Sequence, residues 1–127
     1  MKLYGIGTDI VKISRIKKSI QNRNFLNRIF SKDEIYKCNK LSNKSNCYAK
    51  RFAGKEAFSK ALGTGISNGI AFNEILVLNE KNGKPFFKIV GETKKIVIKR
   101  LKRKKFKISL SLSDEKKYAV AFVTISI

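Results

Sequence analysis

Four alanines, Ala49, Ala53, Ala57 and Ala61, recur at every fourth position within residues 47–62, CYAKRFAGKEAFSKAL, and no other feature of the chain restricts its fold as sharply. The segment is rich in good helix formers and stops at Gly63, a residue suited to a helix C-terminal cap. Residues four apart lie along one face of a helix. The alanines therefore form a stripe almost without side-chain bulk, against which another stretch of backbone can lie closely, while Arg51, Lys55 and Lys60 make another side of the helix basic.

What surrounds that helix reads as a mixture of strands and further helices. Residues 2–11 look extended, with two glycines and a Thr8-Asp9 pair that leaves a carboxylate near the strand end. Ile13, Ile16 and Ile20 follow at helical spacing, with Arg15, Lys17 and Lys18 off the apolar stripe, and the helical signal continues through Phe25, Leu26, Ile29 and Phe30 to Ser31. Ser31-Lys32-Asp33-Glu34 has the form of a capping box opening another short helix, and residues 41–46 read as a polar loop. After Gly63-Thr64-Gly65 come two strand candidates, 73–79 and 85–89, joined across Asn82-Gly83, a strong hairpin signal. A basic helix from Glu92 onward and a closing hairpin of residues 108–112 and 118–125 complete the chain. The order β-α-α-α-β-β-α-β-β predicts an α+β fold, an antiparallel sheet packed against helices. With 127 residues and no linker or repeat, residues 1–127 are expected to form a single domain.

Charge and missing residue types exclude several functions. The chain carries 29 Lys and Arg against 9 acids, a net charge of +20, and it has no histidine. Ser-His-Asp triads, Cys-His nucleophiles and His-ligated metals are ruled out. Cys38 and Cys47 are too few for a disulfide scaffold or a zinc site, and are expected to be free thiols in a reducing compartment. Asp9 interrupts any early apolar run, and no stretch of about 18 apolar residues occurs, so a cytoplasmic location without a membrane is expected. Nine of the fourteen residues 94–107 are Lys or Arg. Such a run suits phosphates, anionic lipid, an acidic protein or plain solvent. No nucleic-acid-binding motif accompanies it, so no nucleic acid is expected as partner.

Among the nine carboxylates, most have ordinary places in turns or first turns of helices. Asp9, in GIGTDIV, and Glu56, in FAGKEAF, stand instead in small or apolar surroundings, where a carboxylate needs a cation or hydrogen bonds. A hard cation such as Mg2+ suits two such carboxylates and takes its remaining ligands from water and phosphate. The alternative is that Glu56 pairs with Lys55, Lys60 or Arg51 on the helix surface while Asp9 caps the next helix.

Two stretches carry a resemblance. Gly5-Ile6-Gly7-Thr8-Asp9-Ile10-Val11 with Arg15-Ile16, and the run from Arg51-Phe52-Ala53-Gly54-Lys55-Glu56-Ala57-Phe58-Ser59-Lys60 through Gly63-Thr64-Gly65-Ile66, are similar to the two signatures of the holo-[acyl-carrier-protein] synthase family, the short phosphopantetheinyl transferases. Residues 72–77, Asn82-Gly83-Lys84-Pro85, Ser111-Leu112-Ser113 and Tyr118-Ala119-Val120-Ala121 extend the likeness over nearly the whole chain. The resemblance implies the 4'-phosphopantetheinyl transferase-like fold. It also implies Mg2+-dependent transfer of the phosphopantetheine arm from coenzyme A (CoA) to a serine of an apo acyl carrier protein, in support of fatty acid biosynthesis. Adenosine 3',5'-bisphosphate leaves. Asp9 and Glu56 match the metal positions, and with Lys60 they form the implied catalytic set. Arg51, Lys60, Gly63, Thr64, Gly65 and Ser113 are implied CoA contacts. Lys55 is either a further phosphate contact or a partner of Glu56, Arg15 faces the acidic carrier protein, and a homotrimer is implied. At the position where the family commonly has His this chain has Asp114, which favours water on the metal as the base, or else a nearby cation such as Lys116 taking over the charge.

Overall fold

A computed structural model of the chain describes residues 1–65 and 69–127. The elements run β1 (Leu3–Lys12), α1 (Ile13–Ser19), α2 (Arg23–Ile29), α3 (Lys32–Asn39), α4 (Lys44–Leu62), a 3-10 turn (Phe72–Glu74), β2 (Ile75–Asn79), β3 (Pro85–Ile89), α5 (Gly91–Leu101), β4 (Lys107–Asp114) and β5 (Tyr118–Ser126). β1, β5 and β4 form an antiparallel sheet in that order, and β2 pairs with β3 as a separate hairpin. The expected α+β class and both hairpins are present.

Helix α4 lies across the sheet with its alanine stripe inward. Ala49, Ala53 and Ala57 are fully buried, and Ala61 nearly so. From the sheet side β5 alternates strictly, sending Ala119, Ala121, Val123 and Ile125 into the core. Bulk comes from the flanks, where Phe30 packs edge-on against Tyr48 and Phe58 meets Phe87 of the β2–β3 hairpin. Each such fully buried apolar side chain contributes about 1.5–3 kcal/mol.

Close approach of β1 to α4 explains the glycines of the first motif. A Cβ on Gly5 would run into the carbonyl of Ala61, and one on Gly7 into that of Ala57. Strand and helix thus touch backbone to backbone, and that contact sets where the following residues of β1 fall along α4.

Three sequence expectations are corrected. The helical signal of residues 13–31 divides into α1 and α2, because the Asn22 side chain accepts a hydrogen bond from the Phe25 N–H at 3.2 Å and starts a new helix. α4 begins at Lys44, within the segment read as loop. Cys38 and Cys47 are not free: they form a disulfide between the last turn of α3 and the first turn of α4, with Cα atoms 5.5 Å apart. Counting cysteines could not show this, since the pair is brought together by the turn between the two helices.

Candidate active site between β1 and α4

Asp9 projects from β1 at the point where it crosses α4. Its Oδ1 accepts from the Lys60 ammonium at 3.2 Å, and the same ammonium donates to the Thr8 carbonyl at 3.0 Å. Glu56 stands one turn before Lys60 on the same helix. The sequence alternative of a Glu56–Lys60 surface pair is not what forms, because Lys60 reaches across to the strand. Burial raises the Asp9 carboxyl above its ordinary value, opposed by Lys60 and Arg15. Glu56 is raised too, first by burial and then by the Asp9 charge, with Lys60 and Arg15 again opposing. Asp9, Arg15, Glu56 and Lys60 are therefore one electrostatic cluster of two half-buried carboxylates and two basic side chains, in which the effect of burial outweighs that of the cations.

Glu56 also faces a cavity of about 510 Å³ whose walls include Arg15, Phe25, Arg28, Phe52 and Phe72. Those walls are fastened by a buried ion pair. Lys55 is fully buried, and its ammonium donates to Glu34 Oε1 at 2.7 Å, to the Ile29 carbonyl at 2.8 Å and to the Phe72 carbonyl at 2.9 Å. Glu34 in turn accepts from the N–H of Ser31 and of Val77. Burial pushes Lys55 down to about 8, with Glu34 pulling the other way. Both roles expected of Lys55 are thus corrected: all three of its donors are spent inside the core, so it neither meets a phosphate nor pairs with Glu56. Glu34 had passed as a helix-capping acid, which it is, with the sequence giving no sign of its second partner.

Arg51 sits elsewhere, on a basic pocket of about 350 Å³ that it lines with Lys37, Lys50, Asn79 and Lys81. Its Nη2 donates to Asn79 Oδ1 at 2.9 Å, its Nη1 donates to Cys47 Sγ at 3.1 Å, and its buried Nε has no partner among the described residues. Lys37 donates to the same Asn79 oxygen at 2.8 Å. Lys37, Lys50 and Asn79 were not singled out from the sequence, since they come from three separate elements. Asp114 borders this region, accepting from Asn46 at 2.8 Å with Lys50 3.5 Å away. Lys50 is thus the cation that pairs with Asp114. Ser113, next to it, is exposed at the end of β4, away from the Asp9 cluster.

Gly63 adopts φ +84° and ends α4, with Gly65 also left-handed at +62°. Arg100 of α5 braces this turn, donating to the Leu62 carbonyl at 3.3 Å and the Gly63 carbonyl at 3.0 Å. One residue of the basic run is thus structural. Thr64 is buried, and Ile66, the last residue of the second sequence signature, lies outside the described residues. No helix among the described residues is long and apolar enough to cross a membrane.

Comparison with known proteins gives the family and agrees with the fold. The family model of the 4'-phosphopantetheinyl transferase superfamily matches residues 5–123. A holo-[acyl-carrier-protein] synthase of Pelagibacter ubique is 53% identical over 125 residues, covering 98% of each chain. Among solved structures, the holo-[acyl-carrier-protein] synthase of Neisseria meningitidis superposes with TM-score 0.86 at 36% identity, covering 98% of this chain and 99% of that one. The synthase of Bacillus anthracis, determined in complex with CoA (3',5'-ADP), gives 0.81 at 34% identity, over 99% and 98% of the two chains. The chain belongs to the holo-[acyl-carrier-protein] synthases of the 4'-phosphopantetheinyl transferase superfamily, and it is an enzyme.

Proposed function

We propose that this enzyme transfers the 4'-phosphopantetheine arm of CoA to a serine hydroxyl of an apo acyl carrier protein, with Mg2+ held by Asp9 and Glu56. The observation that carries the reading is the pair of half-buried carboxylates, Asp9 on β1 and Glu56 on α4, close enough for the Asp9 charge to act on Glu56. No cluster of three or more metal-ligating side chains occurs among the described residues. Two carboxylate groups brought together and partly withdrawn from water fit a hard cation that draws its other ligands from water and from the substrate's phosphates. When bound, Mg2+ neutralises charge on the CoA pyrophosphate.

The chain's own residues do the rest. Lys60, half exposed and already 3.2 Å from Asp9, orients that carboxylate and adds positive charge where the phosphoryl group is attacked. The serine oxygen forms a bond to the phosphorus that carries pantetheine, the bond to adenosine 3',5'-bisphosphate breaks, and the serine proton passes to solvent. Arg51, with Lys37 and Lys81 around the same pocket, supplies charge for CoA phosphates. The Gly63-Thr64-Gly65 turn offers backbone at the end of α4. Arg15 and Arg28, at the mouth of the Glu56 cavity, present the charge an acidic carrier protein would meet.

A homotrimer forms part of this reading. The sheet face turned away from α4 leaves Ile6, Ile10 and Phe122 56%, 65% and 45% exposed, an apolar surface that a second copy would cover. Ser113 and the Arg51 pocket stand apart from Asp9 within one protomer, as expected if a neighbour completes the site. The reading includes a cytoplasmic location and a role in fatty acid synthesis.

Incubating the protein with CoA, Mg2+ and an apo carrier protein tests the reading by the mass of the carrier. One phosphopantetheine should be added, and the addition should disappear with EDTA and in Glu56→Gln. A carrier left unmodified under all conditions refutes it.

A further inference from the structure

Two cations of the Arg51 pocket share one acceptor. Lys37, from α3, and Arg51, from α4, both donate to Asn79 Oδ1, at 2.8 and 2.9 Å. Asn79 is the last residue of β2, and its amide nitrogen donates to the Gly83 carbonyl at 2.9 Å, which ties the side chain to the turn between β2 and β3. That bond also gives the amide its direction, with the nitrogen toward Gly83 and the oxygen toward the two cations. Three elements thus meet at one side chain, and Lys37, Arg51, Asn79 and Gly83 all line the pocket.

The ordinary partner of an arginine and a lysine brought together is a carboxylate, which binds each more strongly than an amide oxygen does. Here none is supplied. Neither Lys37 nor Arg51 forms an ion pair among the described residues, and Glu80, the acid that lines the pocket, is exposed and forms none either. An amide oxygen orients both donors but carries no net charge, so both positive charges remain for an anion to meet. The two cations do act on each other: Arg51 lowers the Lys37 ammonium from its ordinary value, second to burial. Arg51 Nε, buried and with no partner among the described residues, is one more donor that the protein leaves unused.

We propose that Asn79 is a positioning residue for CoA: it holds Lys37 and Arg51 side by side without neutralising them, so that their combined charge is presented to the CoA phosphates. The proposal rests on the reading of that pocket given above. A carboxylate at this position would hold the cations equally well and cancel one of the two charges. A side chain without an acceptor would leave the charge and lose the arrangement. The amide keeps both, and its nitrogen adds the anchor to the turn. Cations placed in advance lose less freedom when the phosphate arrives, and that is where Asn79 adds to affinity.

Asn79→Ala and Asn79→Asp separate arrangement from charge, since both lose the donor to Gly83 and only Asn79→Asp keeps an acceptor for the cations. Isothermal titration of the full-length enzyme with CoA should show binding weaker by about fivefold in Asn79→Ala and by about thirtyfold in Asn79→Asp, where a negative charge faces the phosphates. The CoA KM should rise in the same order, while kcat and the carrier-protein KM stay within about twofold of the parent's. Urea denaturation should rank the two variants the other way, with Asn79→Asp the more stable because it keeps both cations bonded. A residue that merely supported the turn would make affinity follow stability. CoA affinity in Asn79→Asp equal to or above that of Asn79→Ala, or parent-like affinity in both, overturns the proposal and leaves the transferase reading intact. A parent enzyme that does not bind CoA overturns that reading together with the proposal.

Discussion

Asp9 and Glu56 have each lost part of their hydration, and both carboxyls stand above their ordinary values for that reason. A raised carboxyl holds its proton more tightly in the folded chain than in the unfolded one. Its contribution to stability is fully present below the ordinary values of 3.8 and 4.5 and is lost as pH rises through the folded ones. Above that window a divalent cation can take the proton's place. Mg2+ should therefore raise the melting temperature at neutral pH, and the gain should shrink as the pH falls through the raised values. Glu56→Gln should melt higher than the parent in EDTA and gain little from Mg2+. Calorimetry reads all three, and equal Mg2+ shifts in parent and variant would remove Glu56 from the metal site. Lys55 makes a different demand. Lys55→Met leaves Glu34 charged and buried without its partner, which should cost about 3–5 kcal/mol in urea denaturation. Lys55→Met/Glu34→Gln should cost well under the sum of its two single changes, because the unpaired charge goes with the pair. Asp9 and Glu56 were legible in the sequence because acids among glycine and alanine need an explanation. Glu34 was not, because the Ser31-to-Glu34 spacing already explained it as a cap, and local sequence does not say which way Lys55 points.

The element that decides the site's geometry is the β1–α4 contact. Its sequence signs were plain: an alanine every fourth residue on the helix, and Gly5 and Gly7 on the strand. Their meeting was not, because a stripe without bulk says only that something comes close. A methyl group on Gly7 would strike the Ala57 carbonyl, a backbone atom that cannot turn aside. Gly7→Ala should therefore destabilise the fold by about 1–3 kcal/mol and, by lifting β1 two residues before Asp9, reduce the Mg2+ gain in melting temperature. If the variant keeps the whole Mg2+ gain, the strand is not held to the helix by that contact. The break between α1 and α2 was hidden for another physical reason: apolar residues keep helical spacing on both sides of it, and only the hydrogen bond from Phe25 to the Asn22 side chain marks the new start. The disulfide was invisible for the same kind of reason, since it depends on how two helices turn back on each other.

On the scale of the molecule, charge and apolar surface are distributed differently. The net charge is +20, and of the basic 94–107 run Arg100 serves a helix end. Part of the exposed apolar surface, in contrast, is gathered on one sheet face. Ile10 lies opposite Val120 across β1 and β5, and Ile6 and Phe122 stand on the same side, so the four make one continuous strip. A strip of that kind in a chain so highly charged is the surface that the proposed trimer would cover. Phe122 offers the cleanest test because its side chain faces away from α4, so a charge there leaves the protomer's core untouched. Phe122→Asp should unfold at nearly the parent's urea midpoint in its monomeric form, run as a monomer by light scattering where the parent runs as a trimer, and lose at least about tenfold in kcat/KM. A monomeric variant with full activity would show that one protomer holds the entire site. A parent that is itself monomeric would leave the apolar strip to a partner other than a copy of this chain.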